Sequence, residues 1–326
     1  MSQNDSAAGA TQDLPTIADL HQAATRIKPY AHMTPTFSST GIDARVRANL
    51  VFKAENLQKA GAFKFRGACN AVMSLDNESA QRGVITHSSG NHAAALALAA
   101  RLRGINATIV MPDNAPAVKK AAVASYGARI KFCESTEQAR EATVARLCEA
   151  TPMELIHPYN DARIIAGQGT AALELLAQSP QLDAIIAPIG GGGLLSGTAI
   201  AANSLGIKVW GAEPANADDA ARSLAAGRII PVVNPDTVAD GLRTSLGPLT
   251  FAVLRNSIEG IITVDEAYIV EAMRLIWERL KIIAEPSGAV PLGALLQHGA
   301  PAGVQRIGLI ISGGNVDLDT LPWIQA

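Results

Sequence analysis

The amino-acid sequence predicts an α/β protein in which two mainly parallel, twisted sheets are covered by helices. From residue 83 onward, short apolar runs that indicate strands alternate with stretches of helical spacing. This alternation favours parallel sheets with right-handed crossovers. The chain has 326 residues, of which 48% are hydrophobic, and this is enough for two domains with large cores.

The elements follow in order from local signals. Thr16 is a suitable N-cap for a first helix, which Pro29 stops, and Gly61 allows a sharp turn between the next strand and helix. Gly83 opens the regular alternation. The predicted strands are 50–55, 84–85, 107–111, 129–132, 155–156, 184–188, 208–212, 260–264 and 306–311. The predicted helices are 17–27, 65–75, 92–102, 117–126, 137–148, 162–176, 194–205, 266–282 and 287–297.

The composition favours a small-molecule partner. A formal charge of -2 with interspersed signs gives no basic surface for nucleic acid. Cys69, Cys133 and Cys148 form neither a CxxC pair nor a disulfide framework, as expected of a protein in the reducing cytoplasm. Residues 1–14 are small and polar and predict a frayed tail, not a signal peptide. No apolar run reaches membrane-spanning length, so we expect no membrane association.

Lys64 lies between Phe63 and Phe65 at the start of a predicted helix. Two aromatic neighbours predict a partly desolvated amine with a lowered pKa, which an amine that attacks a carbonyl group requires. The alternative interpretation is a surface lysine beside two core aromatics.

Four consecutive glycines, Gly190, Gly191, Gly192 and Gly193, connect a predicted strand to a predicted helix. They offer unobstructed N–H groups at the positive end of that helix, which suits a phosphate group. The alternatives are a tight turn or the dinucleotide loop of an NAD-dependent dehydrogenase. The spacing is not GxGxxG, however, and no acidic residue is placed for a ribose.

Ser88, Ser89, Gly90 and Asn91 open the predicted helix at His92, and all five are candidate substrate-binding residues. Their hydroxyl and N–H groups at a helix N-terminus predict a site for the carboxylate of an amino-acid substrate. Ordinary helix capping is the alternative, but it accounts for one serine and not for the whole run.

Ser312 follows an apolar strand and is itself followed by two glycines. The glycines let the backbone pass close to a flat ring. A serine in a strand-end turn is the alternative.

Arg140 lies between two glutamates on the first turns of a helix, where it is either a solvated charge or a group that binds a carboxylate bidentately.

Glu213 and Asp219 are six residues apart, with the carbonyl of Ala217 between them. Hard oxygen ligands in this arrangement suit Mg²⁺, Ca²⁺ or Mn²⁺. The alternative is a pair of acids that satisfy the dipole at a helix N-terminus.

Taken in this order, the motifs resemble those of the β-family of pyridoxal-phosphate enzymes, also called fold type II or tryptophan synthase β-like. The likeness runs over about residues 16–317 and is greatest to the serine racemase, serine/threonine dehydratase and 3-hydroxyaspartate dehydratase group. It implies a small domain of residues 82–157 inserted into a large domain of residues 1–81 and 158–326. A homodimer is usual in the family.

The resemblance also assigns roles to the motif residues. It implies that Lys64 holds pyridoxal 5'-phosphate beside Phe63, with the phosphate on the four glycines. Asn91 would contact the phenolic oxygen of the cofactor, and Ser312 would bind its pyridine nitrogen with a hydroxyl group. Ser89 would face the side opposite Lys64, so racemisation and elimination would both be open. The segment of Glu213 and Asp219 resembles the metal site of metal-activated serine racemases.

Three further residues match family positions: Arg140, which would reach the side chain of the substrate, and Glu285 and Asp240, which would lie near the cofactor. The chain departs from eukaryotic serine racemases at Ala93 and Ala94, where those enzymes have glycine and a nucleotide-binding glutamine. Activation by a nucleotide is therefore doubtful, although the other residues that match the nucleotide region are present, namely Tyr126, Lys281 and Asn315.

Together these features predict β-elimination from a 3-hydroxy amino acid, catalysed by a lyase that depends on pyridoxal phosphate. A β-carboxylate partner for Arg140 makes 3-hydroxyaspartate the first choice of substrate, with oxaloacetate or its imine and ammonia as products. Serine/threonine dehydratase and serine racemase are the alternative activities. A ligand-sensing or scaffold protein that kept the fold without the chemistry, and a nicotinamide dehydrogenase, are the alternatives from other classes.

Overall fold

The computed structural model describes residues 14–115 and 117–324. The strands are β1 (Thr36–Phe37), β2 (Asn49–Ala54), β3 (Val84–His87), β4 (Ala107–Pro112), β5 (Arg129–Cys133), β6 (Glu154–Leu155), β7 (Ala184–Pro188), β8 (Lys208–Pro214), β9 (Gly260–Val264) and β10 (Arg306–Ile311). The helices are α1 (Ile17–Ile27), α2 (Thr40–Val46), α3 (Lys64–Ser74), α4 (Asn77–Arg82), α5 (Asn91–Arg103), α6 (Ala117–Ser125), α7 (Glu137–Ala150), α8 (Ala162–Gln178), α9 (Gly193–Asn203), α10 (Asp219–Ala226), α11 (Pro248–Leu254), α12 (Glu266–Leu275) and α13 (Pro286–His298).

The larger sheet has six strands in the order β1-β2-β10-β7-β8-β9. All of its pairs are parallel except that of β1 with β2. Strand β10 lies at the centre, between β2 and β7, where its residues are almost fully buried as in other parallel sheets covered on both faces. The carboxyl ends of β2, β10, β7 and β8 therefore meet at one edge, where ligands collect in such sheets.

The smaller sheet has four parallel strands in the order β5-β4-β3-β6. All four lie between residues 84 and 155, whereas the strands of the larger sheet come from both sides of this segment. The predicted α/β class with two parallel sheets is therefore confirmed. The domain boundaries at residues 82 and 157 stay a prediction.

Glycines bring helices α3, α8 and α9 unusually close together. A Cβ atom on Gly167 would lie 2.5 Å from the Cα atom of Gly67, and one on Gly197 would lie 2.5 Å from the nitrogen of Gly169. No larger residue fits at these crossings without displacing backbone. The starts of α3 and α9, where Lys64 and Gly193 lie, are thereby held on either side of α8.

The predicted helices and strands are present, and with one exception their ends lie within two residues of the predicted ones. The helix predicted over 266–282 is different, because α12 ends at Leu275 and continues as a wider π-helical turn over Ile276–Leu280. Four short elements were not predicted: β1, α2, α4 and α11. Elements this short depend on packing more than on their own periodicity. Of the predicted tail over 1–14, all but Leu14 lies outside the described residues.

Candidate functional site

Lys64 is the first residue of α3, and its Nζ atom donates a hydrogen bond to the carbonyl oxygen of Pro158 at 2.9 Å. The amine lies 5.2 Å from the ring centre of Phe63, and Phe65 is fully buried. Burial lowers the pKa of the Lys64 amine to about 8, although the charge of Glu285 partly opposes the shift. About a tenth of the amine is therefore unprotonated and nucleophilic at pH 7, far more than for an ordinary lysine.

The segment after β10 lies directly against the residues that precede Lys64. The N–H group of Phe63 donates to the carbonyl of Ser312 at 2.9 Å, and the N–H group of Gly314 donates to the carbonyl of Gly61 at 2.9 Å. Ser312 is only 3% exposed. The structure therefore brings Lys64 and Ser312 together, although they are far apart in the sequence.

The four glycines form a turn that has no room for side chains. Gly192 has a left-handed backbone with φ of 89°, and a Cβ atom on Gly191 would lie 2.3 Å from the ring of Tyr159. The hydroxyl of Thr250 donates to the carbonyl of Gly191 at 2.8 Å and fixes the turn. No acidic residue occupies the first turn of α9. The N-terminus of α9 thus offers backbone N–H groups in a setting that fits a phosphate group.

The serine-rich turn joins β3 to α5 and is partly exposed from Ser88 to Asn91. Gly90 is the N-cap residue, and no side chain caps the helix there. The N–H group of Gly90 instead donates to the hydroxyl of Ser88 at 3.3 Å. The start of α5 therefore keeps donor groups for an anionic ligand. The position of Ser89 opposite Lys64 stays a prediction.

Asn91 belongs to a polar network around the buried Glu285 that the sequence did not reveal. Its Nδ2 atom donates to both carboxyl oxygens of Glu285, at 2.9 and 3.1 Å, and its Oδ1 atom accepts from Nδ2 of Asn315 at 2.9 Å. Burial raises the pKa of Glu285 to about 7, although the hydrogen bond from Asn91 partly opposes this shift. Glu285 is therefore a carboxyl group that can exist in either protonation state beside the site.

Sequence reasoning also missed the segment after β6, which faces both Lys64 and the glycine turn. His157 accepts N–H bonds at Nδ1 from Tyr159 and Asn160, at 3.3 and 2.9 Å, and burial lowers its pKa to about 4. Its imidazole is thus neutral, with its proton on Nε2. His92 is buried with its Nε2 atom 3.3 Å from the carbonyl of Ile156, and burial lowers its pKa well below the ordinary value. The His-Pro-Tyr motif at a strand end was the available signal.

Arg140 lies half-buried on the first turn of α7. Its Nε atom is buried and has no hydrogen-bond partner among the described residues. Burial raises the pKa of the Cys133 thiol, and the positive charge of Arg140 partly opposes this shift. No hydrogen bond or ion pair among the described residues joins Arg140 to Lys64 or to the serine turn, so its role toward a substrate stays a prediction.

Glu213 and Asp219 are both 1% exposed, at the end of β8 and the start of α10. Burial raises the pKa of Glu213 to about 8 and that of Asp219 to about 7, and their neighbouring negative charges add to both shifts. The Oδ2 atom of Asp219 is buried without a partner among the described residues. Ala217 is buried beside them. Within the described part of the chain, no group of three or more His, Cys, Asp or Glu side chains could hold a metal ion, so any ion here needs backbone or water ligands.

A cavity of about 660 Å³ opens beside Asn91, and its walls also include Gly61, Tyr126, Asp240 and Asn315. Its volume suits a small organic molecule. In residues 14–115 and 117–324, no helix is long and apolar enough to cross a membrane.

Comparison with known proteins gives consistent matches. The family model of pyridoxal-phosphate dependent enzymes matches residues 27–313. A serine racemase of Arabidopsis thaliana is 50% identical over 312 residues, which cover 94% of each chain. A beta-hydroxyaspartate dehydratase of Paracoccus denitrificans is 49% identical over 312 residues, which cover 95% of this chain and 99% of that protein. The structure of maize serine racemase aligns with a TM-score of 0.93 at 50% identity, covering 96% of this chain and 97% of that one. The resemblance and fold type predicted from the motifs are therefore confirmed.

Proposed function

The chain belongs to the family of pyridoxal-phosphate dependent enzymes, and from this premise we propose that it catalyses β-elimination from a 3-hydroxy amino acid, with 3-hydroxyaspartate as the preferred substrate. The observation that carries the proposal is the half-buried Lys64 at the Pro158 carbonyl, whose amine has a pKa of about 8 that suits both attack on an aldehyde and proton transfer. The similarity to a beta-hydroxyaspartate dehydratase supports the choice of substrate.

The residues present fit the cofactor. Lys64 would hold it covalently, Gly190 to Gly193 would bind its phosphate through backbone N–H groups at the start of α9, where no acidic residue opposes an anion, and Ser312 would meet its ring nitrogen. Bound pyridoxal phosphate withdraws electrons from the α-carbon of an attached amino acid. A cofactor ring whose nitrogen is hydrogen-bonded to a hydroxyl group withdraws electrons less strongly than a ring whose nitrogen is paired with a carboxylate. This weaker withdrawal favours elimination.

Different residues of the chain would bind the substrate, orient the cofactor and transfer protons. The donors of Ser88 and Ser89 at the start of α5 bind the α-carboxylate of the substrate, and Asn91 orients the cofactor. The Nζ atom of Lys64, free once the substrate amine has taken its place, would remove the α-proton. Departure of the β-hydroxyl group and hydrolysis give a keto acid and ammonia. Ser89 on the opposite face would return a proton in the mirror sense, so serine racemisation is the second candidate function, which the similarity to serine racemases favours.

Arg140 supplies the preference for a β-carboxylate in this proposal. Its buried Nε atom without a partner is a donor that a substrate carboxylate would satisfy. A charge-assisted hydrogen bond contributes about 1.5–3 kcal/mol, which corresponds to about ten- to a hundredfold in preference.

The test is a panel of serine, threonine and the four stereoisomers of 3-hydroxyaspartate. Keto acid release and chiral analysis of the remaining substrate are measured for the wild type and for Arg140→Ala. We expect kcat/KM to fall for hydroxyaspartate at least about tenfold more than for serine. Equal falls would remove the β-carboxylate role, and a protein that turns over none of these substrates would refute the proposed reaction.

A divalent cation at Glu213 and Asp219 is also proposed, with the carbonyl of Ala217 as a third ligand. Two buried carboxyl groups with raised pKa values and an unsatisfied oxygen atom at Asp219 support a cation that compensates their charge. Mg²⁺, Ca²⁺ and Mn²⁺ all prefer such oxygen ligands.

A homodimer is proposed as the working form. Met33, Leu57 and Ile283 are 75%, 43% and 46% exposed. They belong to one surface, because Asn56 donates to the carbonyl of Ile283 at 2.9 Å and the ring of His32 approaches the carbonyl of Leu57. Sedimentation of wild type and of Met33→Asp tests the dimer, which the variant should weaken.

The cysteine pattern supports a cytoplasmic location.

A further inference from the structure

Four charged side chains form a network behind Lys64, and we name them the charge quartet: Lys53, Glu55, Arg66 and Glu174. The side chains of Lys53, Glu55 and Arg66 have no exposed surface, and that of Glu174 is 20% exposed. Two positive and two negative charges balance one another. Burying charged groups is costly unless they are paired and hydrogen-bonded, so a cluster of this kind has a closely defined geometry.

Arg66 lies at the centre of the quartet and makes two bidentate contacts. Its Nε and Nη2 atoms donate to the two carboxyl oxygens of Glu55 at 2.6 and 2.8 Å. Its Nη1 and Nη2 atoms donate to the two oxygens of Glu174 at 2.7 and 2.8 Å. Lys53 donates to Glu174 at 2.7 Å. The planar guanidinium is thereby fixed in one orientation, which a lysine in its place could not reproduce.

Glu55 and Arg66 are also the two ends of the segment that contains the reactive lysine, which we call the lysine loop (residues 55–66). Their pairing closes this loop, and Lys64 lies two residues from the closure. Within the loop, Ala60 has a left-handed backbone with φ of 57°, which is unfavourable for a residue other than glycine. The surrounding contacts must therefore stabilise the shape of the loop.

The other side of the quartet connects to the acceptor of the lysine amine. Glu174 lies on α8, and the segment just before α8 contains Pro158, whose carbonyl accepts the bond from Lys64. The N–H group of Gly67, next to Arg66, donates to Oε1 of Gln168 on the same helix at 3.1 Å. Arg66 thus joins the first turn of α3 to the helix that sets the position of Pro158.

We propose that Arg66 is a positioning residue for Lys64, and that its paired contacts with Glu55 and Glu174 keep the lysine amine at the Pro158 carbonyl. This inference rests on the proposed function in that it concerns the reactive amine. Without the guanidinium fork, the first turn of α3 shifts and the amine gains access to water. A misplacement of about 1 Å can reduce a rate by about a hundredfold.

The test compares Arg66→Lys, which keeps the charge balance, with Arg103→Lys. Arg103 is a matched control because its half-buried guanidinium donates to the carbonyls of Val72 and Leu75 at the other end of α3. The full-length chain is freed of cofactor with hydroxylamine and pulse-acetylated from about pH 6 to about pH 11. Mass spectrometry of the Lys64 peptide gives the pH midpoint of labelling, and circular dichroism reports the fold.

We expect the Lys64 midpoint in wild type and in Arg103→Lys to lie near 8, and that in Arg66→Lys to rise toward 10.5, the ordinary value for lysine. The value of kcat should fall about 10- to 100-fold in Arg66→Lys and change less than about twofold in the control. A wild-type midpoint in a folded Arg66→Lys protein would overturn the inference, as would equal shifts in both variants. If Arg66→Lys does not fold, Glu55→Asp, which shortens the other partner, decides by the same readout. Because the labelling needs no turnover, an inactive wild type with the expected midpoints would refute the proposed reaction and leave the positioning role intact.

Discussion

Removal of the proposed cation should make the stability of the protein depend strongly on pH. In the absence of metal, the pKa of Glu213 is raised from 4.5 to about 8 and that of Asp219 from 3.8 to about 7, mainly by burial. The folded state then binds more protons than the unfolded state throughout this range. The free energy of unfolding is therefore highest below the unfolded pKa values and decreases as pH rises toward the folded ones.

The size of this effect follows from the same values. For each group, the free energy of unfolding decreases by about 1.4 kcal/mol per pH unit between the unfolded and the folded pKa. For Glu213 this amounts to at most about 5 kcal/mol. The contribution of Asp219 is similar, but the two are not additive because their mutual repulsion enters both. We expect a total decrease of about 5 kcal/mol for the chelated protein between about pH 5 and pH 8.

Urea unfolding monitored by circular dichroism, with chelator or with excess Mg²⁺, measures this prediction. Mg²⁺ at about 100 times its Kd should add about 2.7 kcal/mol and flatten the pH dependence. The double variant Glu213→Gln/Asp219→Asn is the matched control, and its difference from wild type removes the contribution of Glu285, whose pKa is also raised. A chelated wild type with stability as flat as that of the variant, or an equal effect of Mg²⁺ on both, would refute the reasoning.

Three further predictions concern the cofactor site. Lys64→Ala should lose the visible absorbance of bound cofactor and all turnover while its urea midpoint is kept, and unchanged turnover would contradict the assignment. Gly191→Ala should weaken cofactor binding at least about tenfold in a fluorescence titration, because its Cβ atom would meet the ring of Tyr159 at 2.3 Å; adding Tyr159→Ala should restore part of the affinity, and no rescue would count against the steric argument. Ser312→Ala should retain cofactor but lower kcat about tenfold by removing one hydrogen bond, and a wild-type kcat would show that its hydroxyl is not used.

The sequence by itself determined the class of the fold and the places where chemistry collects. Alternating strands and helices imply parallel sheets, and parallel sheets have their carboxyl ends at one edge. Motifs that follow strands, such as the four glycines after β7 and Ser312 after β10, could therefore be assigned to a common cleft. The neighbours of Lys64 in the sequence were enough to predict a desolvated amine, because two phenylalanines beside it limit its hydration.

Only the tertiary structure decided which distant groups meet these motifs. The partners of Lys64, Asn91 and Arg66 are Pro158, Glu285 and Glu174, each separated from its partner by 94 to 194 residues. No local pattern encodes such pairs, because burial and pairing depend on how helices cross and on which segments follow neighbouring strands. For the same reason the short helices α2 and α11 were missed, since their stability comes from the surfaces against which they pack and not from their own periodicity.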